Sequence, residues 1–156
     1  MRIPWTLSLL VASVMSAGYS AAAQSQRPLV GSWERIALKD STGTDIQPAP
    51  PAAFTIFSTD GFYTQLAIPT GRSKVAKPLA DLTKEELLDR FNRAEARRGR
   101  YTVSGNTLTR TYITTLNPND EGRDPQVQRF RIEGDVLILT STSAANRSEA
   151  RFRRAR

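Results

Sequence analysis

The chain is 156 residues long, carries 22 Lys and Arg against 15 Asp and Glu for a formal charge of +7, and contains neither cysteine nor histidine. That length has room for one modest domain, and the two missing residue types exclude disulfides, thiol nucleophiles, Ser-His-Asp triads and the usual zinc ligands together. Only carboxylate, lysine and tyrosine chemistry is left, so the expectation is a binder with no cofactor and no metal rather than an enzyme.

Met1 to Ala23 reads as a secretory signal peptide, with Arg2 as the positive end, Leu7 to Met15 (LSLLVASVM) as the apolar core and Ala21-Ala22-Ala23 as the cleavage site before Gln24. That core is shorter than the roughly 20 residues of a membrane-spanning helix, so no stable membrane insertion is expected. The mature product is expected to be exported, periplasmic in a Gram-negative host and secreted otherwise. Gln24 to Pro28 is a polar lead-in, and the folded domain is expected over residues 29–156.

Leu29 to Leu38 (LVGSWERIAL) reads as the first strand. Trp33 falls on the opposite face from Ile36 and Leu38 in an ideal strand, so a bulge near Arg35 is predicted. Lys39 to Ala52 is dense in prolines and turn residues and is a loop. Ala53 to Ser58 and Phe62 to Ile68 flank Thr59-Asp60-Gly61 as a hairpin. Thr83-Lys84-Glu85-Glu86 is a capping box that opens a helix, with Leu87, Leu88, Phe91 and Ala94 on one face, Glu85, Asp89, Arg93 and Arg97 on the other, and Gly99 as its stop. This helix should lie against the fold, with Phe91 as a packing residue.

Short strands then follow at Arg100 to Val103, Thr107 to Leu116, Gln126 to Ile132, Val136 to Thr142 and Glu149 to Arg154, separated by turns such as Ser104-Gly105-Asn106 and Glu133-Gly134-Asp135. With the first three they make eight, mostly joined as hairpins. The fold class is therefore all-β: an eight-stranded antiparallel barrel with one short helix in an inter-strand insertion. An open sandwich of the same strands is the alternative.

The segments LVGSW (Leu29 to Trp33), FSTDGFYTQL (Phe57 to Leu66), GRYTVSGNTLTRTYITTLNPN (Gly99 to Asn119), QRFRIEGDVLILT (Gln128 to Thr140) and RFRR (Arg151 to Arg154) together resemble the bacterial lipocalin-like domain family, within the lipocalin and calycin barrels. The resemblance spans Leu29 to Arg154. It implies a barrel with an internal cavity and a small hydrophobic or amphipathic ligand. It also implies that Gly31 and Trp33 open the first strand at the closed end, where a basic side chain of the last strand covers the indole. Arg154 is the candidate, with Arg151 or Arg153 as alternates.

On Thr107 to Leu116, Leu108, Arg110, Tyr112 and Thr114 share one face, and Thr109, Thr111 and Ile113 the other. If the first face points inward, Arg110 and Tyr112 can grip an anionic head group through charge-assisted hydrogen bonds. Arg129 would be a second donor, and Tyr63 and Gln65 polar contacts from the hairpin. Fatty-acid-binding calycins use a similar Arg-x-Tyr step. The opposite orientation fits the threonines equally well.

Three further groups have plainer readings. Asn117 to Asp124 (NPNDEGRD) is faintly like a calcium loop but lacks its spacing and closing glutamate, so it reads as a turn. Glu34 and Glu149 are the only carboxylates within strands, and ion pairs with arginine explain them better than a catalytic dyad. The basic clusters at Arg93, Arg97, Arg98 and Arg100 and at Arg147, Arg151, Arg153, Arg154 and Arg156 lack the aromatic interleaving of nucleic-acid binders. They suit a solvated face or contact with an acidic surface.

Two functions fit these observations. One is a carrier or sensor holding a small hydrophobic or amphipathic, possibly anionic, molecule. The other is a non-enzymatic accessory module with a filled barrel, whose basic surface meets an acidic envelope component or partner protein.

Overall fold

The computed structural model describes residues 28–46, 52–68, 74, 76–91, 94–143 and 148–156. The signal segment, residues 24–27 of the lead-in, and Arg93 and Arg147 of the basic clusters lie outside the described residues. The described residues form eight strands: β1 (Gly31–Lys39), β2 (Ala52–Phe57), β3 (Phe62–Ile68), β4 (Glu95–Ser104), β5 (Thr107–Thr115), β6 (Gln126–Glu133), β7 (Val136–Ser141) and β8 (Glu149–Arg154). They close into one antiparallel barrel in sequence order. Closure through β1 and β8 pairs Trp33 with Arg154 and Arg35 with Phe152, and leaves the barrel no open edge. The predicted irregularity in β1 falls between Arg35 and Ala37, where the register against β8 shifts.

Inward positions alternate along each strand, and they sort into two halves. At one end Leu29, Trp33, Phe57, Tyr63, Tyr101, Leu108, Leu137, Leu139 and Phe152 form a single buried cluster. Phe57 packs edge-on against Tyr101 at 5.0 Å between ring centroids, an arrangement favoured by the ring quadrupoles. The Tyr101 hydroxyl donates to the Ser58 carbonyl at 2.8 Å, which satisfies the phenol inside the apolar layer. On the other half the inward residues turn polar, and the candidate site lies there. Ile138 is buried although it sits on the outer face, in register between Arg131 and Arg151, whose aliphatic stems are of the kind that cover apolar surface.

The helix differs from the expectation. α1 spans only Lys84–Phe91, and Glu95–Arg98 belongs to β4, with Arg97 opposite Gln65 of β3. The charged run from Arg93 to Arg98 suits a helix face and an alternating strand equally, and the β3 and β5 ladders decide for the strand. Gly99 is accordingly not a helix stop. It sits inside β4 at a register shift against β5, where a Cβ would lie 1.8 Å from the Thr111 carbonyl oxygen and 2.7 Å from Tyr63 Cε1. The glycine allows that close approach. The capping box forms as predicted: Glu86 accepts from Thr83 N at 2.8 Å, and Thr83 Oγ1 accepts from Glu86 N at 3.2 Å. Phe91 is not a packing residue, however, since Leu88 is 58% and Phe91 55% exposed.

Candidate functional site

The parity of β5 places Leu108, Arg110 and Tyr112 inward and leaves Ile113 exposed. Across the ladder Arg110 faces Gln126 and Leu108 faces Gln128. Arg110 is thus delivered to the interior between two glutamines of β6, and Gln65 of β3 reaches it from another wall. Its Nη2 donates to Gln126 Oε1 at 2.6 Å and to Gln128 Oε1 at 2.7 Å, while Nη1 donates to Gln65 Oε1 at 3.0 Å. The guanidinium carbon lies 5.2 Å from the centroid of the Tyr63 ring.

Arg110 is 4% exposed, yet every one of these acceptors is neutral. Among the described residues its Nε has no hydrogen-bond partner, and neither has the nearby Tyr63 hydroxyl nor Thr55 Oγ1 of β2. Stripping a cation of water costs several kcal/mol, and neutral acceptors offset only part of that. Burial accordingly pulls the Arg110 guanidinium below its ordinary basicity, although arginine stays protonated through the ordinary pH range. The same burial pushes the Tyr63 phenol up to about 12, against the opposing charge of Arg110.

Toward the mouth the network continues. Tyr112 donates to Gln126 Oε1 and accepts from Arg97 Nη1, both at 3.4 Å. Gln65 Nε2 donates to Glu95 Oε2 at 3.2 Å, and Arg97 lies 3.4 Å from the same carboxylate. Asp120, buried at the end of a 3-10 turn, pairs with Arg123 at 2.7 Å and approaches Arg97 at 4.0 Å. A cavity of about 220 Å³ opens here between β4 and the residues after β5, lined in part by Glu95, Arg97, Thr115 and Asp120. A second, of about 480 Å³, lies at the β1–β2 seam and is lined by Ser32, Glu34, Arg35, Ala52, Ala53, Phe54 and Ile56.

Four of the predicted site residues, Arg110, Tyr112, Tyr63 and Gln65, are therefore neighbours inside the barrel. Arg129 is not among them. It is exposed on the outer face of β6 and donates to Asn106 Oδ1 at 3.2 Å, because Gln126, Gln128 and Phe130 hold the inward parity of that strand. The sequence reading missed Gln126 and Gln128, although Phe130 and Ile132 share their parity and mark it as the buried one. At the closed end Arg154 Cζ stands 4.1 Å from the Trp33 ring centroid. Its Nη1 and Nη2 donate to the carbonyls of Val30 and Pro28 at 2.9 and 3.1 Å. Gly31 adopts φ 129° there, and a Cβ on it would meet Arg154 Nη1 at 2.7 Å.

Of the two in-strand carboxylates expected to pair with arginine, only Glu149 does so among the described residues. Glu149 pairs with Arg151 at 2.7 Å and with Arg131 at 3.7 Å, while Glu34 is exposed opposite Arg153. Among the described residues no group of three or more Asp and Glu is placed to hold a metal ion, and no helix is long and apolar enough to cross a membrane.

A closed eight-stranded barrel in up-and-down order, entered by a Gly-x-Trp strand whose indole lies under an arginine of the last strand, is a lipocalin-like fold. No protein-family model matches the chain, and no curated protein is significantly similar to it. Among solved structures, it is similar to a lipocalin-like protein from Bacteroides uniformis at 12% identity, over 81% of this chain and 98% of that one, with a TM-score of 0.49. It is also similar to Rv2717c from M. tuberculosis at 20% identity, over 85% of this chain and 96% of that one, with a TM-score of 0.37.

Proposed function

We propose that the protein is an exported, non-enzymatic carrier or sensor whose barrel holds a small amphipathic molecule by an anionic head group at Arg110. One observation carries this reading: a buried guanidinium whose hydrogen-bond acceptors are all neutral, with its Nε and the hydroxyl of Tyr63, whose ring lies beside it, unpartnered among the described residues. A carboxylate or comparable anion supplies the missing charge and accepts from these donors.

Native mass spectrometry of protein purified from its own host's envelope tests the reading. An adduct lost on mild denaturation supports it. With a fluorescent alkyl carboxylate as probe, Arg110→Ala is expected to weaken binding by about 1.5–3 kcal/mol, the range for a hydrogen bond to a charged group. Unchanged affinity in a folded variant overturns it.

A second reading, an accessory module acting through its basic surface, draws on the outer face of β4. There Arg98 and Arg100 lie 4.6 and 4.3 Å from the Phe62 ring centroid and form no ion pair among the described residues. Binding to acidic vesicles that weakens with salt and survives Arg110→Ala favours that role.

A further inference from the structure

Six side chains from four adjacent strands, β3 to β6, form a closed ring of contacts inside the barrel. Arg110 donates to Gln65 and to Gln126, Gln65 donates to Glu95, Glu95 pairs with Arg97, Arg97 donates to Tyr112, and Tyr112 donates to Gln126. The ladders build it by setting Arg97 opposite Gln65 and Arg110 opposite Gln126. The two guanidinium groups stand at opposite points of this ring. Its bonds are not equally tight: Arg110 holds its acceptors at 2.6 to 3.0 Å, whereas both bonds of Tyr112 and the contact of Arg97 with Glu95 are 3.4 Å, beyond the usual range. Two more donors, Arg110 Nε and the Tyr63 hydroxyl, are buried and idle among the described residues. Burial dominates the raised pKa of that phenol, and the charges of Arg110 and Arg97 both oppose it, which puts the hydroxyl within reach of either cation.

Charge in the lumen is also unbalanced. Arg35 of β1 follows Trp33 at the same parity and stands opposite the buried Phe152. Burial lowers its basicity, and the charge of Glu95 on the far wall opposes that. Three inward arginines, Arg35, Arg97 and Arg110, thus share one inward carboxylate. The Glu95 side chain is 40% exposed against 20% for Arg97, so water screens much of what it offers. Asp120 is taken by Arg123 at 2.7 Å and stands 4.0 Å from Arg97. Among the described residues this leaves two positive charges uncompensated. Burial and the like charge of Arg97 both weigh on the protonated form of Arg110, and an anion between them relieves that repulsion.

We infer that the head group is a doubly charged phosphate monoester on an apolar chain, set between Arg110 and Arg97 with Tyr63 and Tyr112 donating to its oxygens. This deepens the reading of Arg110 as the head-group site and rests on it. A carboxylate brings two oxygens and one charge. A phosphate monoester brings three terminal oxygens and, at neutral pH, about two charges, which matches both the surplus and the idle and loosely engaged donors.

Calorimetric titration with octyl phosphate and octyl sulfate, below their micellar concentrations and at about pH 8, tests the inference. The two share a chain and a tetrahedral head and differ by one charge, since the second pKa of a phosphate monoester is about 6. The protein is expected to bind the phosphate at least about tenfold more tightly, as one more charge-assisted hydrogen bond implies. Arg97→Gln is expected to bring the two affinities within about twofold, and Arg97→Lys, which keeps the charge, to retain part of the preference. Glu95→Gln removes the carboxylate that competes for Arg97 and should tighten phosphate binding by roughly twofold to fivefold. Equal affinities in the unaltered protein, or a preference that survives Arg97→Gln, overturn the inference while leaving the Arg110 site standing. Inorganic phosphate that binds as tightly as octyl phosphate would make this a site for the free anion and overturn the amphiphile. Binding of both octyl probes that is indifferent to Arg110→Ala overturns the underlying head-group reading instead.

Discussion

Arg154 closes the barrel over Trp33: its guanidinium carbon stands 4.1 Å from the indole centroid while both terminal nitrogens donate to backbone carbonyls that precede β1. The indole nitrogen in turn donates to the Leu29 carbonyl at 2.7 Å. One side chain of the last strand thus fixes the chain entering the first. Arg154→Ala removes a cation-π contact of about 0.5–2 kcal/mol together with two hydrogen bonds, and is expected to lower unfolding stability in urea by about 1–3 kcal/mol. Arg154→Lys keeps the charge but not the fork that reaches both carbonyls, and should fall between. A stability unchanged by the alanine variant would mean that the closing contact contributes nothing.

The close approach at Gly99 is more demanding. Any Cβ there overlaps the Thr111 carbonyl and presses on the Tyr63 ring, and both neighbours are fixed, one by the β4–β5 ladder and one by core packing. Gly99→Ala is expected to cost more than about 3 kcal/mol, beyond the usual range for overpacking. Gly105→Ala and Gly134→Ala, at turn positions with φ near +60° and open space around them, should cost only about 1 kcal/mol each. Thermal unfolding of the three variants separates the cases. A Gly99→Ala variant that melts with the other two would show that β4 and β5 do not approach so closely.

The contrast between Gly99 and the turn glycines also marks what was legible in the sequence. Gly61, Gly105 and Gly134 sit between alternating segments, so local pattern alone identified their hairpins and, with them, the barrel. Gly99 owes its identity to a neighbouring strand and a tyrosine far away in sequence, and no local pattern encodes that. The same holds within the site. Arg110 and Tyr112 stood out because two polar residues shared a face with Leu108, whereas Gln126 and Gln128 lay on a strand whose outward residues, Arg129 and Arg131, are equally polar. The helix was extended too far because the arginines after Phe91 fit both periods, and only the pairing of Arg97 with Gln65 separates them.

Two phenols should report on the interior at alkaline pH. Burial raises Tyr63 and Tyr101 from 10.0 to about 12, so the folded state favours the neutral form of each. Their contribution to stability is complete below about pH 10 and is lost as pH rises toward 12, with a slope approaching about 1.4 kcal/mol per pH unit for each ring. Urea unfolding across that interval should show the decline, and Tyr63→Phe and Tyr101→Phe should each make it shallower. Phenolate absorbance from both rings appearing near pH 10 in the folded protein would contradict their burial.

The short helix should behave as a unit separate from the barrel. Its first turn is held by the Thr83–Glu86 box and by Lys77, which lies 2.9 Å from the Glu86 carboxylate, while Leu88 and Phe91 remain mostly in water. Loss of an N-cap hydroxyl costs about 1 kcal/mol of helix stability. Thr83→Ala is therefore expected to reduce amide-exchange protection at Leu87, whose N–H donates to the Thr83 carbonyl, by roughly fivefold. Protection in β5 and β7 should not change, because the strand ladders do not depend on the helix. If the same substitution lowered protection throughout the barrel, the helix would have to fold as one body with the strands, and its apolar face would have to be covered in solution.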